Sequence, residues 1–246
     1  MKLVLATDDA GGPEIFATVQ GEGTAIGRPA TFVRLSRCNL ACTWCDTPYT
    51  WHWEGDPRPH ADGVTFDRKA NQVTLDIAEV AHRVCALPPN DVVFTGGEPM
   101  MQQKALLALA DLLDEMAPYR FSYAVETNGT VLPEQPHRFE YTVSPKLAHS
   151  GNDPALALPF EAMAHWAQSR HAIFKFVIAN PEDVLDVDAL VQRFSIHPGA
   201  VLLMPEGRES QVLHARAKWL APICIQKGYR LTDRLHIHLF GDTRGT

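Results

Sequence analysis

Apolar and polar positions change period along the chain, and each change marks an element. Arg28–Arg37 (RPATFVRLSR) alternates around Phe32, Val33 and Leu35, the period-two pattern of a strand. Over Thr74–Leu87 the apolar residues Ile77, Ala78, Ala81, Val84 and Cys85 recur three and four apart, which predicts a helix that Thr74 can cap. Asp91–Thr95 (DVVFT) predicts a short buried strand closed by Gly96 and Gly97, and Gln102–Met116 a second helix. Tyr123–Glu126 and Tyr141–Val143 predict strands that end at Asn128-Gly129 and at Ser144-Pro145. Further on, Phe160–Ser169 reads as helix, Ala172–Ile178 as strand and Asp183–Phe194 as helix. Ala200–Met204, Ser210–Lys227 and Tyr229–Leu231 then predict strand, helix and closing strand. The N-terminal MKLVLA predicts a first strand or a frayed end.

Strands and helices that alternate through short connections predict the α/β class, with a mostly parallel sheet and right-handed crossovers. The exception is residues 51–72, polar and rich in Pro and Gly, which reads as a surface insertion with little regular structure. With 246 residues and neither repeats nor low-complexity tracts, the chain is expected to form one domain over residues 1–246.

Composition changes this picture mainly by exclusion. A formal net charge of −7 argues against a nucleic-acid or membrane-surface binder, since both need a basic face; a local basic pocket stays open. No apolar run reaches the roughly 18 residues of a membrane span. The apolar N-terminal stretch breaks at Asp8 and Asp9, too early for a signal peptide. The expected location is cytoplasmic.

Ligands of parallel α/β folds gather at the C-terminal ends of the strands. Four unusual loops fall there: Cys38–Cys45, Thr95–Pro99 (TGGEP), Glu126-Thr127-Asn128 and Ser144-Pro145-Lys146. Cys38, Cys42 and Cys45 are the strongest signal. In a reducing compartment such a cluster points to metal or redox chemistry rather than disulfides. Electron-transfer clusters usually take four cysteines, whereas three can hold a 4Fe–4S cluster with one iron left open. Zinc is the rival, as a Cys₃His site completed by His52 or His60. Against zinc stand the CxxxCxxC spacing and Trp44 inside the tight loop. Cys85 and Cys224, which stand alone, read as small buried apolar residues. Glu126 and Lys175 each interrupt an apolar strand, a costly placement unless they are functional, or paired with each other or with Arg34.

CNLACTWCD matches the radical S-adenosylmethionine (SAM) signature, an aromatic preceding the last cysteine, and TGGEP resembles the glycine-rich segment of that superfamily, fifty residues after Cys45. Glu14–Trp51, together with VVFTGGEP, VETNGT and TVSPK, closely resembles the 7-carboxy-7-deazaguanine synthase family of queuosine biosynthesis. The likeness runs through most of the chain and is weakest over 51–71 and after about residue 180. It implies a partial, open radical SAM-type β/α barrel with fewer than the usual crossover helices. The implied activity is that of a lyase. SAM is cleaved to a 5′-deoxyadenosyl radical, which takes hydrogen from C6 of 6-carboxy-5,6,7,8-tetrahydropterin; the ring contracts, ammonia leaves and SAM is regenerated.

The resemblance also implies roles for residues. Cys38, Cys42 and Cys45 would hold the 4Fe–4S cluster, and Thr47 a Mg²⁺ ion whose other ligands include substrate. Trp44, Cys45, Asp46, Gly97, Ser144, Pro145 and Lys146 would meet SAM. Val19, Gln20, Gly21, Arg34 and Thr95 would meet the substrate, with Arg34 gripping its carboxylate; the plain alternative for Arg34 is a pair with an acid. A flavodoxin or ferredoxin electron donor and a homodimer are implied as partners. His236 and His238 flank Ile237 in a strand-like run, read as histidines on a solvent face; the terminal carboxylate could fold back toward the site. Two other functions fit the cysteine loop: a glycyl-radical activating enzyme, which would need a partner protein and lacks the TVQGEG and Asp46-Thr47 features, and a non-catalytic zinc or iron–sulfur module.

Overall fold

The computed structural model describes residues 1–118 and 120–246. Among the described residues, ten strands form one continuous sheet. In chain order they are β1 (Lys2–Ala6), β2 (Ile15–Val19), β3 (Pro29–Leu35), β4 (Gln72–Asp76), β5 (Asp91–Gly96), β6 (Ser122–Thr127), β7 (Glu140–Val143), β8 (Ala172–Ile178), β9 (Val201–Pro205) and β10 (Arg230–Leu231). The helices are α1 (Ile77–Cys85), α2 (Gln103–Met116), α3 (Pro154–Ala157), α4 (Phe160–Gln168), α5 (Pro181–Phe194), α6 (Ser210–Lys227) and α7 (Leu235–Phe240). Spatial order is β10-β9-β8-β7-β6-β5-β3-β1-β4, with β2 also on β3. From β3 through β10 the neighbours run parallel, whereas β1, β2 and β4 are antiparallel additions at one side. The two ends of the row do not meet, so the barrel is open. The β6–β7 connection carries no helix.

Strand alternation decides which side chains meet the helices and which meet the ligand space. Val33 and Leu35 of β3, Val92 and Phe94 of β5, Val125 of β6, Phe174 and Phe176 of β8, and Val201 and Leu203 of β9 lie in the main core under the helices. The intervening residues point to the opposite, concave face. There Ala30, Phe32 and Val93 form a small second cluster, and next to it come Arg34, Thr95, Glu126 and Lys175. A single residue of register separates a core position from a site position.

Among the elements that differ from the expectation, three shape the sheet or the site. Residues 74–76 belong to β4, which pairs antiparallel with β1 from Lys2↔Asp76 to Ala6↔Gln72, so α1 starts three residues later than its periodicity suggested. β2, unread in the sequence, pairs with β3 from Ile15↔Val33 to Val19↔Pro29. The His236–His238 segment is the short helix α7, not a strand. Its first amide, Leu235 N, donates to Gly21 O at 2.8 Å, which anchors it on the loop after β2.

Candidate active site

The cysteine loop leaves β3 through Arg37, a non-glycine residue at φ 79°. Its path is fixed by neighbours from other loops. Glu98 N donates to Arg37 O at 2.9 Å and Gly97 N to Leu35 O at 3.0 Å. A Cβ on Gly97 would lie 2.1 Å from Arg37 O, and one on Gly96 2.0 Å from Leu35 O. The glycines of TGGEP therefore let the end of β5 press against the backbone that starts the cysteine loop, a tighter demand than room for a ligand. Glu98 is fully buried; its carboxylate accepts from Met100 N, Thr127 Oγ1 and Asn128 N at 2.7–2.9 Å, tying TGGEP to ETNGT. Burial nonetheless pushes its pKa up, against those donors.

The loop presents Cys38, Cys42 and Cys45 to a cavity of about 400 Å³ on the concave face. Burial pushes the thiol pKa values up, to about 12 for Cys38 and about 11 for Cys45, so the thiolates call for a cationic partner. Among the described residues no three His, Cys, Asp or Glu side chains converge as they would on a single ion. His52 sets its ring nitrogens against the carbonyls of Val64 and Arg58 at 2.8 and 3.0 Å, and His60 sets Nε2 on Cys45 O at 2.8 Å. Neither histidine serves the thiols, and a zinc Cys₃His centre does not fit. The spaced trio, open to a cavity, fits a larger metal cluster. Trp44, whose buried indole N–H lacks a partner, stacks on His149 at 5.3 Å and fits a ligand that brings its own acceptor.

The same cavity has a polar wall. Glu126 takes Gln20 Nε2 at 3.1 Å on one oxygen and Thr95 Oγ1 at 2.9 Å on the other. Arg34 pairs through Nε with the fully buried Glu14 at 2.7 Å, which also accepts from Tyr49 Oη. Arg34 is thus paired with an acid and still lines the cavity. Lys175 pairs with Glu22 rather than with Glu126 or Arg34. Arg234 joins Glu22, through Nε at 2.9 Å, to Asp46 and anchors on Gly207 O at 2.7 Å. Burial pushes the Glu22 pKa up, but Lys175 and Arg234 outweigh it and hold the carboxyl well below the usual range. Asp46 is lowered likewise, Arg234 overcoming its burial. Burial lowers His236.

Every expected site residue lines this cavity except Pro145, which is buried in the segment after β7. Val19, Gln20, Gly21, Trp44, Asp46, Thr47, Gly97, Ser144 and Lys146 all reach it. Lys146 Nζ donates to Ser144 O and Oγ, both at 2.8 Å, and lies 5.8 Å over Trp44. At Gly21 the tight neighbour is His236, whose Nδ1 would meet a Cβ at 2.0 Å. His236 therefore faces the cavity, contrary to its reading as a solvent-facing residue, while His238 bonds Ser210 Oγ at 2.6 Å.

Several wall residues escaped sequence reasoning, among them Glu22 and Arg234. So did the rim. Asp62 and Phe66 bring the 51–72 segment to the cavity, where Arg208 binds Asp62 at 2.5 Å and Asp242 at 3.6 Å. Arg244 lies 3.6 Å over Tyr49 and 5.8 Å from the Phe66 ring, and Thr246 also reaches the cavity.

An open, mostly parallel sheet with a three-cysteine loop at its rim defines an enzyme of the radical SAM superfamily, whose profile matches residues 33–190, and the chain belongs to it. Within it, the chain belongs to the 7-carboxy-7-deazaguanine synthase family. It is 37% identical over 239 residues to the synthase of Pyrobaculum aerophilum, covering 94% of this chain and 95% of that one. It is 34% identical over 247 residues to that of Rhodopirellula baltica, covering 95% and 87%. The crystal structure of QueE from Escherichia coli superposes with a TM-score of 0.66 at 27% identity, covering 96% of this chain and 95% of that one.

Proposed function

We propose that the protein converts 6-carboxy-5,6,7,8-tetrahydropterin to 7-carboxy-7-deazaguanine with loss of ammonia. The observation that carries this reading is the juxtaposition, across one cavity, of the three thiols with a wall of Gln20, Arg34, Thr95, Glu126 and Lys175. Such a wall suits a flat heterocycle with fixed donors and acceptors and a carboxylate. Cys38, Cys42 and Cys45 would hold the cluster, and Trp44, Asp46, Gly97, Ser144 and Lys146 would line the place of SAM; bound, the two supply one-electron chemistry.

The chain's own residues orient the substrate. Arg34, steadied by Glu14, offers its free guanidinium nitrogens to the carboxylate. Val19, Gln20 and Gly21 meet the ring edge together with Thr95, and Glu126 fixes Gln20 and Thr95. Lys175 and Glu22, a buried pair, hold opposite charges at a set place beside the ring. Thr47, with Oγ1 3.7 Å from Cys45 Sγ, is the candidate Mg²⁺ ligand. Since among the described residues no acidic trio converges near it, the ion would be completed by substrate oxygens and water. The five free thiols suit a cytoplasmic enzyme served by a flavodoxin or ferredoxin, and a homodimer is proposed by family likeness.

The deciding assay combines anaerobically reconstituted protein, a low-potential reductant, SAM, Mg²⁺ and the carboxypterin. The ultraviolet spectrum of the deazaguanine is expected to develop. SAM cleavage without that product would redirect the reading to another radical reaction, and a zinc-loaded, colourless protein would end it.

A further inference from the structure

Behind the cysteine loop lies a turn that touches neither the cavity nor its polar wall. Residues 148–152 pack against the loop from outside. Thr43 N donates to Ser150 O at 2.9 Å, and a Cβ on Gly151 would meet Thr43 Cγ2 at 2.7 Å. Asn152 then makes three bonds at once. Its Oδ1 accepts from Ala41 N at 2.9 Å, while Nδ2 donates to Ser150 Oγ at 3.1 Å and to Cys42 Sγ at 3.3 Å. Ser150, Gly151 and Asn152 do not line the cavity, so contact with a ligand does not explain them.

We propose that Asn152 is a positioning residue that sets the reduction potential of the iron–sulfur group by donating its amide N–H to the Cys42 thiolate. The proposal rests on the functional reading above only in taking the three cysteines as cluster ligands. Negative charge on the sulfurs grows when the group takes up an electron, so an N–H donor stabilises the reduced form and raises the potential. The other two sulfurs have side-chain donors of other kinds: Asn128 Nδ2 stands 3.9 Å from Cys38 Sγ and is shared with Asn39, while Cys45 Sγ has the Thr47 hydroxyl at 3.7 Å and the Trp51 side chain beside it. Asn152 is the nearer of the two asparagine amides, at 3.3 Å against 3.9 Å, and its second bond, to Ala41, holds the amide in place.

Two holoprotein variants separate tuning from mere support. Asn152→Asp keeps an oxygen for Ala41 N–H but loses the donor, and Asn152→Leu loses both. Titration monitored by electron paramagnetic resonance is expected to find full iron content and a midpoint moved to more negative potential in each. The equilibrium constant for reduction should fall about tenfold, which is about 59 mV for a one-electron couple. A variant with full iron and an unmoved midpoint overturns the proposal. Should both variants lose iron, wild-type enzyme labelled with ¹⁵N in its asparagine amides decides. A nitrogen coupling to the reduced cluster that persists when Asn128 is replaced by Leu supports the donor, and its absence overturns it. A wild type that holds the cluster but makes no deazaguanine would sink the functional reading while leaving the potentials readable.

Discussion

Lys175 and Glu22 sit nearly out of water, with side-chain exposures of 7% and 13%. A buried pair of this kind adds little net stability, but removing one partner strands the other charge. Lys175→Met is expected to lower unfolding free energy by about 3 kcal/mol in urea melts. Adding Glu22→Gln should return part of that loss while leaving the enzyme inactive; an unaltered melt for the single variant would show Arg234 suffices for Glu22. The sequence exposed Lys175 and Glu126 as charges inside apolar strands. Glu22 and Arg234 carried no such mark, because each sits in an irregular segment where charge is ordinary, and 212 residues separate them. The cysteines, Thr95 and Gly97 were legible because their spacing is local; what the spacing did not show is that Gly97, besides lining the cavity, makes room for Arg37 and Cys38 backbone. Gly97→Ala should therefore fail to retain iron on reconstitution, measured by iron per chain, where a glycine needed for ligand space alone would leave iron content intact.

At the scale of elements, periodicity found the helices but not their starts: α1, expected with a Thr74 cap, begins at Ile77, and α5, expected from Asp183, begins at Pro181. α5 begins with a capping box in which Asn180 and Asp183 bond each other's backbone, and Pro181 sits at its first turn. Asn180→Ala is expected to cost about 1 kcal/mol and to lower the melting temperature by roughly 2–4 °C. Activity should be unchanged, since Asn180 does not line the cavity. Elements decided by distant partners were misread. Val73 and Leu75 fit the strand period as well as a helix turn, and only the β1 edge settles β4 as strand. LHIHLF alternates like a strand but is six residues long and hangs from Gly21 O, so α7 is helical through its docking rather than its pattern.

For the whole molecule, the depressed carboxylates and His236 set the response to acid. A group whose pKa is lowered by folding contributes stability above its ordinary value, and the contribution is lost as pH falls through the folded one. His236, lowered from 6.5, acts first; Glu22 and Asp46, lowered from 4.5 and 3.8, act only in stronger acid. Glu98, raised from 4.5, works in the opposite sense and softens the decline. Melting temperature should therefore fall as pH drops below about 6.5. In His236→Gln that first limb should vanish while the steeper one below about 4.5 remains. If the two proteins lose stability in parallel from neutral pH, His236 is not the group responsible.

The rim of the cavity is fastened by different means from its walls. Arg208 grips Asp62 and Asp242 with side chains 33–45% exposed, where each ion pair contributes at most about 1 kcal/mol and salt screens it. The concave face is thus held by buried, paired groups where a ligand would sit, whereas its rim is fastened by exposed pairs weak enough to part on ordinary thermal motion. Molecules could then be exchanged with the surroundings while the thiols stay seated, and ionic strength would tune how fast the entrance cycles.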